Sequence, residues 1–225
     1  MPSEVAVGER RRVWDMPTRG FHWLVVLLVP FSWWSAKTGH LRWHRISGCL
    51  ILALLLFRLG WGVFGAQTSR FSDFVRGPKA LLAQIQGRAT LAVGHSPLGG
   101  LSVMTMLAAL LLQVGLGLFA VDQDGFEGGP LSRFLDFDTG RAIAKVHHLT
   151  FYLIIALVAV HLAAIAFYEV RRKRLVVAMI TGDKVMPPGV AQPVLARPWV
   201  AVLGVLIAGG IAWFVAHGMK FTGAV

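Results

Sequence analysis

Five apolar stretches divide this chain, at residues 20–36, 44–64, 97–121, 146–168 and 199–216. Each is long enough for a helix to cross a hydrocarbon core about 30 Å thick. A helix satisfies every peptide group inside lipid, where water cannot. The chain is therefore expected to be an all-α integral membrane protein. Hydrophobic residues make up 56% of it and charged residues 15%, against about 25% charged in an ordinary soluble domain. That balance argues against a soluble domain, and the apolar content excludes disorder.

The net charge of +11 is spread in short runs between the apolar stretches. Such a pattern follows membrane topology and not a nucleic-acid footprint. Fifteen of the 22 Lys and Arg residues fall in 1–19, 65–96, 169–198 and at Arg58. The positive-inside rule then puts the N-terminus in the cytoplasm and the C-terminus outside. The loop 122–145 faces outward and carries Asp122, Asp124, Glu127, Asp136 and Asp138. Arg10 to Arg12 precede an apolar run, but His22, Pro30 and the lack of a small-residue cleavage site argue against a signal peptide.

Pro30 predicts a kink in the first helix. Arg58 lies near the end of the second, where it is expected to snorkel to the interface. Ser96 and Pro97 give a helix start for the third. Trp33, Trp34, Trp43, Trp61, Trp199 and Trp213 sit near the ends of the runs, as an aromatic belt does. The proline-rich stretch 186–198 sets the fifth run apart. The expected organisation is a cytoplasmic segment at 1–19, a four-helix unit at 20–185, and a linker with a fifth C-terminal helix at 186–225. The single Cys49 rules out an intrachain disulfide, an iron–sulfur cluster held within the chain and a C-x-x-C-H haem attachment. It reads as a small packing residue.

The histidines carry the chemistry, because an ionisable residue inside a membrane span is a functional signal. His147 and His161 share the fourth run, 14 residues apart. At about 100° per residue they face nearly the same way, with an axial separation of about 21 Å. His148 is about 140° away from that face. His44 opens the second run on the outer side, level with His147. His22 lies near the cytoplasmic start of the first run, level with His161. Two histidine pairs at two depths between facing helices are what two bis-histidine haems require. His40, one turn before His44, is the alternative ligand there, and His148 the alternative to His147. Gly48, Gly115 and Gly117 offer close approach to the ring planes, or plain helix packing. A zinc or di-metal site fits poorly, since the carboxylates lie in loops and no E-x-x-H or H-E-x-x-H pattern is present. A haem-free proton carrier would want carboxylates within the spans, and there are none.

The motifs around these histidines resemble the bacterial cytochrome b561 superfamily, which includes the cytochrome b subunit of nickel–iron hydrogenases. They are Gly20-Phe21-His22-Trp23, Trp43-His44-Arg45-Ile46-Ser47-Gly48 and Phe57-Arg58-Leu59-Gly60-Trp61-Gly62. They continue with Gly94-His95-Ser96-Pro97-Leu98-Gly99-Gly100, the His147–His161 pair and Met179-Ile180-Thr181-Gly182. The resemblance spans about residues 14–185. It implies a four-helix transmembrane bundle with two haem b groups, His22 and His161 holding the cytoplasmic one and His44 and His147 the outer one. It implies an electron-transfer protein of the bacterial inner membrane, linking quinone or quinol to a periplasmic redox partner. That partner is a cytochrome c or a hydrogenase or dehydrogenase subunit, for which the chain would be the membrane anchor. The fifth helix departs from the four-helix minimum, and His217 at its outer end matches no ligand.

Other residues have narrower readings. His95, at the mouth of the third run, is either a quinone or proton-transfer residue or a plain loop histidine. Arg19, Arg42, Arg45, Arg141 and Lys145 flank the ligands, where haem propionates need cations. The acidic outer loop is either a docking surface for a basic partner or ordinary solvated loop.

Overall fold

The computed structural model describes residues 8–88 and 93–220, and these are mostly helical. In order they form strand β1 (Glu9–Arg12) and helices α1 (Met16–Lys37), α2 (Leu41–Phe64), α3 (Phe71–Phe74) and α4 (Pro78–Ile85). Then come α5 (Pro97–Phe119), α6 (Phe137–Val170), α7 (Leu175–Thr181), strand β2 (Asp183–Met186) and α8 (Pro198–Ala216). The start of the basic N-terminal segment (1–7), part of the basic stretch 65–96 (89–92) and the end of the tail (221–225) lie outside the described residues.

Among the described residues four helices, α2, α5, α6 and α8, are long and apolar enough to cross a membrane. The first expected span is different. α1 has 22 residues, about 33 Å at about 1.5 Å per residue, but His22, Pro30 and three tryptophans dilute its hydropathy. It runs unbroken through Pro30. It also starts earlier than its apolar run, because the Asp15 carboxylate accepts from the Thr18 N–H at 3.0 Å and caps the helix. α6 likewise starts well before its apolar run. Asp136 caps it by accepting from the Thr139 N–H at 2.9 Å, so its 34 residues outreach the apolar core. Ser96 caps α5 with Pro97 in its first turn, as the sequence predicts.

α2 is the central helix and buries two faces. Ser47, Ile51, Leu55, Arg58 and Gly62 follow the helical repeat and are buried. Ile51 and Leu55 pack with Leu107, Leu110 and Val114 of α5 and Ile154 of α6. Phe57 and Trp61 form the second face and pack against Ala208 of α8. A Cβ on Gly204 would meet the Phe57 ring at 3.3 Å. Small residues thus let α8 lie close on α2, as in other membrane helix pairs.

At one end of the bundle, β1 pairs antiparallel with β2, Glu9 opposite Met186 and Arg12 opposite Asp183. The Val13 and Trp14 N–H groups both donate to the Gly182 carbonyl, at 2.8 and 3.0 Å. Gly182 ends α7 at φ +89, and a Cβ there would lie 2.7 Å from the Trp14 carbonyl oxygen. Only glycine fits both demands. This end gathers most of the arginines and lysines and is called the basic end. The opposite end, with residues 38–40, 120–136 and 217–220, is called the loop end.

Two expectations about the basic end are overturned. Arg58 does not snorkel: it is 2% exposed, donates to the Ser69 carbonyl at 3.2 Å and lies over the rings of Phe71 (5.2 Å) and Phe74 (5.9 Å). Trp61 is not a belt residue: it is 3% exposed, and its Nε1–H donates to Asp15 at 2.8 Å. A guanidinium and an indole this deep are stable only with partners. The turn at Gln67–Ser69 and the residues before α1 supply them. Thr68 donates to the Val13 carbonyl at 2.6 Å, and the Thr18 and Ser69 hydroxyls bond at 2.6 Å. Trp33, Trp34, Trp43, Trp199 and Trp213 are exposed, as a lipid-facing belt requires.

Asp15 therefore does two jobs, capping α1 and satisfying the buried Trp61. Asp15→Ala should cost about 2–4 kcal/mol, a lost cap plus an orphaned indole N–H. A thermal melt in detergent checks this, and Trp61→Phe in the Asp15→Ala background should cause little further loss.

Candidate functional site

Near the loop end, α1, α2, α5 and α6 bring two of the expected ligands together. The His44 and His147 rings face each other with centroids 6.0 Å apart and planes at 79°. Two imidazoles on one metal ion with bonds of about 2.0 Å would have centroids roughly 6 Å apart. The hydrogen bonds then fix which nitrogen is free. His44 Nδ1 lies 2.9 Å from the Ser32 carbonyl oxygen. His147 Nδ1 lies 2.9 Å from the Gln113 carbonyl oxygen. A carbonyl can only accept, so each Nδ1 carries the hydrogen and each Nε2 keeps its lone pair. His44 thereby has one nitrogen anchored and the other available, as a metal-ligating histidine needs, whereas His147 Nε2 accepts from the Gln113 side-chain amide at 3.3 Å.

The supports come from neighbouring helices. Ser32 is in α1 and buried, and its hydroxyl also lies 3.0 Å from His44 Nδ1. Gln113 is in α5. Its side-chain amide donates to the His147 carbonyl at 3.0 Å and lies 3.3 Å from His147 Nε2. Its amide oxygen accepts from Thr150, which holds the amide in that orientation. Gly117 backs the ring: a Cβ there would be 2.9 Å from His147 Cε1. Gly48 and Gly115 have no heavy atom within 4 Å of where a Cβ would be, so there is free space beside them. Trp33 of α1 stacks on Phe151 of α6 at 6.3 Å, one turn from His147, which holds α1 against α6.

The second expected pair is more open. His22 and His161 are both partly buried. His161 is close enough for the two charges to interact. His22 packs edge-on to Trp23 at 4.9 Å, and its Nδ1 is buried with no partner. Among the described residues no group of three His, Cys, Asp or Glu side chains converges as a zinc site would need.

The alternatives fall elsewhere. His40 is exposed and stacks on Trp34 at 5.8 Å. His148 is exposed. His217 is exposed and bonds its own helix at the Trp213 carbonyl. Of the flanking cations, Arg45 pairs with Glu127, Arg19 donates to the Ile180 carbonyl, and Arg141 lies over Phe137 at 5.5 Å. Within the acidic loop, Asp136 and Glu127 thus have structural partners. Cys49 is free and partly buried.

Ser32 and Gln113 are the residues that sequence reasoning missed. Gln113 carries a signal, being the one amide in the apolar α5. Ser32 carries little, because serine is common in helix packing.

His95 lies at the basic end between two rings, Trp14 at 4.5 Å and Phe74 at 4.6 Å. Burial pushes its pKa down to about 4, the Arg58 charge adds to the drop, and the Thr68 backbone opposes it. Its imidazole is therefore neutral at pH 7.

The chain matches the prokaryotic cytochrome b561 family over residues 13–182. Comparisons with curated proteins and with solved structures give no match.

The low His95 pKa has a stability consequence. An ordinary histidine, with a pKa near 6.5, is protonated in the unfolded chain before the folded one. The stability His95 contributes is thus complete above about pH 6.5 and lost as pH falls towards 4. The detergent melting temperature should fall over that window, and His95→Gln should flatten the fall. An unchanged slope in the variant would show that the drop comes from other groups.

Proposed function

The chain belongs to the prokaryotic cytochrome b561 family, membrane cytochromes with b-type haem, and from that premise we propose that it carries electrons between the quinone pool and an external redox protein. In this reading residues 20–185 form a di-haem unit, and 186–225 add a linker and a fifth membrane helix. α1 spans the bilayer with the four more apolar helices. The basic end faces the bacterial cytoplasm, and the loop end faces the periplasm.

One observation carries the reading: His44 and His147 face each other with both Nδ1 hydrogens tied to carbonyls. That donor set fits axial ligation of a haem iron. His22 and His161 are proposed for the second haem, on the orphaned Nδ1 of His22. When bound, the haems supply a one-electron redox couple. The protein fixes ring orientation through Ser32 and Gln113, keeps water from the ligands with the apolar bundle, and leaves Gly48 bare for a flat macrocycle. With ligand pairs about 21 Å apart along α6, one haem would lie near each membrane face. Electrons thus cross most of the bilayer inside one chain.

Haem quantification on the purified protein tests this. The wild type should hold two haem b per chain. His44→Ala and His147→Ala should each leave one, and so should His22→Ala and His161→Ala. His40→Ala and His148→Ala should keep both. Gly117→Leu should lose the loop-end haem alone, since the added side chain would collide with the His147 ring. Two haems in His44→Ala would break the assigned pairing.

A further inference from the structure

The two short strands at the basic end set like charges against each other. Arg11 stands opposite Lys184 in the register of β1 and β2. Residues directly opposite in an antiparallel pair share a face, and like charges there are destabilising. Met186, two residues beyond Lys184, lies on that same face and is 2% exposed. The face is therefore the inner one. Arg10 and Val185, on the other face, are exposed, whereas Arg11 and Lys184 are both partly buried.

A third cation joins them. The turn after α6 brings Lys173 within electrostatic reach of Lys184. Burial first, and the Lys173 charge second, hold the Lys184 ammonium below its usual pKa. Two backbone bonds close that turn, Arg172 N–H to the Glu169 carbonyl at 2.8 Å and Lys173 N–H to the Tyr168 carbonyl at 3.0 Å. The base of Lys173 is thus fixed beside the strands. The nearby carboxylates are already engaged. Glu9 accepts from Arg11, Asp183 pairs with Arg12 at 3.2 Å, and Glu169 accepts from the Val176 N–H at 2.8 Å. Among the described residues no carboxylate pairs with Lys173 or Lys184. Lys173 has the Tyr168 ring at 5.3 Å, and the Arg11 Nε is buried with no partner. Cations that only follow membrane topology spread into water. Three gathered from three elements, with one donor orphaned, need an anion from another molecule.

The surroundings say what carries that anion. Val170, the last residue of α6, is 84% exposed, and Val176, Val177 and Ile180 are exposed on the short helix α7. Exposed apolar residues beside cations, at the mouth of a membrane helix, form an interfacial surface. A partner for it has acyl chains and a head bearing anionic oxygens. Phosphate oxygens suit both the arginine fork and the lysine point charge. Independently of the electron-transfer reading, and on the membrane placement of the helices alone, we propose that Arg11, Lys173 and Lys184 bind the phosphate of an anionic phospholipid, whose chains lie over α7 and the end of α6. The phosphate offsets the repulsion between the three cations. A zwitterionic lipid brings its own ammonium into the cluster and offsets less of it. Because the strands join the residues before α1 to those after α7, the bound lipid also fastens both to the membrane surface.

The test places the full haem-loaded chain in nanodiscs of equal parts phosphatidylglycerol and phosphatidylethanolamine and counts, by native mass spectrometry, the lipids kept on release. The wild type should keep phosphatidylglycerol in preference. Lys173→Gln and Lys184→Met should each weaken that retention about fivefold, the share of one surface cation. Lys184→Arg should preserve it, and so should Lys79→Gln, which removes an exposed cation elsewhere at the same end. In lipid-free detergent Lys184→Met should melt no lower than the wild type, because it keeps the length of the stem and removes a repulsion. Added phosphatidylglycerol should then raise the wild-type melting temperature more than the variant's. Equal retention of the two lipids, or retention unchanged in both charge-removing variants, would overturn the site. Equal stabilisation by inorganic phosphate would overturn it in favour of a free anion, and an acidic protein or nucleic acid that displaces phosphatidylglycerol would overturn it in favour of that partner. A lower melting temperature for Lys184→Met in lipid-free detergent would make the lysine a structural residue and overturn it too. Haem content reports separately on the histidine pairs, so failure here leaves the electron-transfer reading intact.

Discussion

An imidazole between apolar helices has two nitrogens to place, and the arrangement here depends on how that is done. Leaving both unbonded is costly in a medium without water. His44 and His147 each give the Nδ1 hydrogen to a carbonyl of the neighbouring helix, and the Gln113 amide also meets His147 at Nε2. The carbonyls belong to Ser32 of α1 and Gln113 of α5, so the helix pairs α1–α2 and α5–α6 each carry one histidine and its support. Packing those pairs together through Ile51, Leu55, Leu107, Leu110 and Ile154 then brings the rings to 6.0 Å. The histidine geometry is a consequence of hairpin packing. A helix that shifted by one turn would part a histidine from its anchor on the neighbouring helix.

The basic end solves a different problem. Here charge itself is buried, in Arg58 and Asp15. The two do not form a close ion pair. Each is satisfied separately, Arg58 by the Ser69 carbonyl and two aromatic rings, Asp15 by the Thr18 N–H and the Trp61 indole. Breaking either set would leave a buried group without partners, which costs more than forming the set gains. The residues before α1 and those after α2 are thereby locked together. β1 extends the lock to β2, and so to the chain leaving α7. The pairing reaches from residue 9 to residue 186 and ties the start of the bundle to the approach to α8.

The sequence made the helices and the site partly legible, for reasons specific to each element. Apolar runs find the stretches that meet lipid, so α2, α5 and α8 are located closely. The same runs miss the ends of α1 and α6, which are set by the caps Asp15 and Asp136 outside the apolar part. The 14-residue spacing of His147 and His161 was readable because helix periodicity is local. That His44 would face His147 followed from depth alone. What could not be read was Arg58. Its position near a run's end suits snorkelling, and only the tertiary approach of Phe71, Phe74 and Ser69 turns it inward. Trp61 was misread for the same reason, since a tryptophan at a helix end looks alike whether it faces lipid or a carboxylate.

The eighth helix bears on how rigid the loop-end pair is. α2 carries His44, and its opposite face, Phe57 and Trp61, is covered by Ala208 and Gly204 of α8. Phe57 and Trp61 stack at 5.5 Å with planes 19° apart, and Trp61 is also the partner of Asp15. One side of α2 is thus pinned by small-residue packing to α8, and its end is pinned by hydrogen bonding to the start of α1. At the other end, Arg45 pairs with Glu127 of the loop beyond α5, and Arg133 of the same loop donates to the Gly218 carbonyl just past α8. α2 is held at both ends and along its back. The face left to respond to a ligand is the one carrying His44 and Gly48, where the free space lies. On the electron-transfer reading, a helix fixed everywhere except beside its proposed ligand exchanges electrons with little rearrangement, which gives α8 a physical role although the proposed ligands lie on α1, α2 and α6 alone.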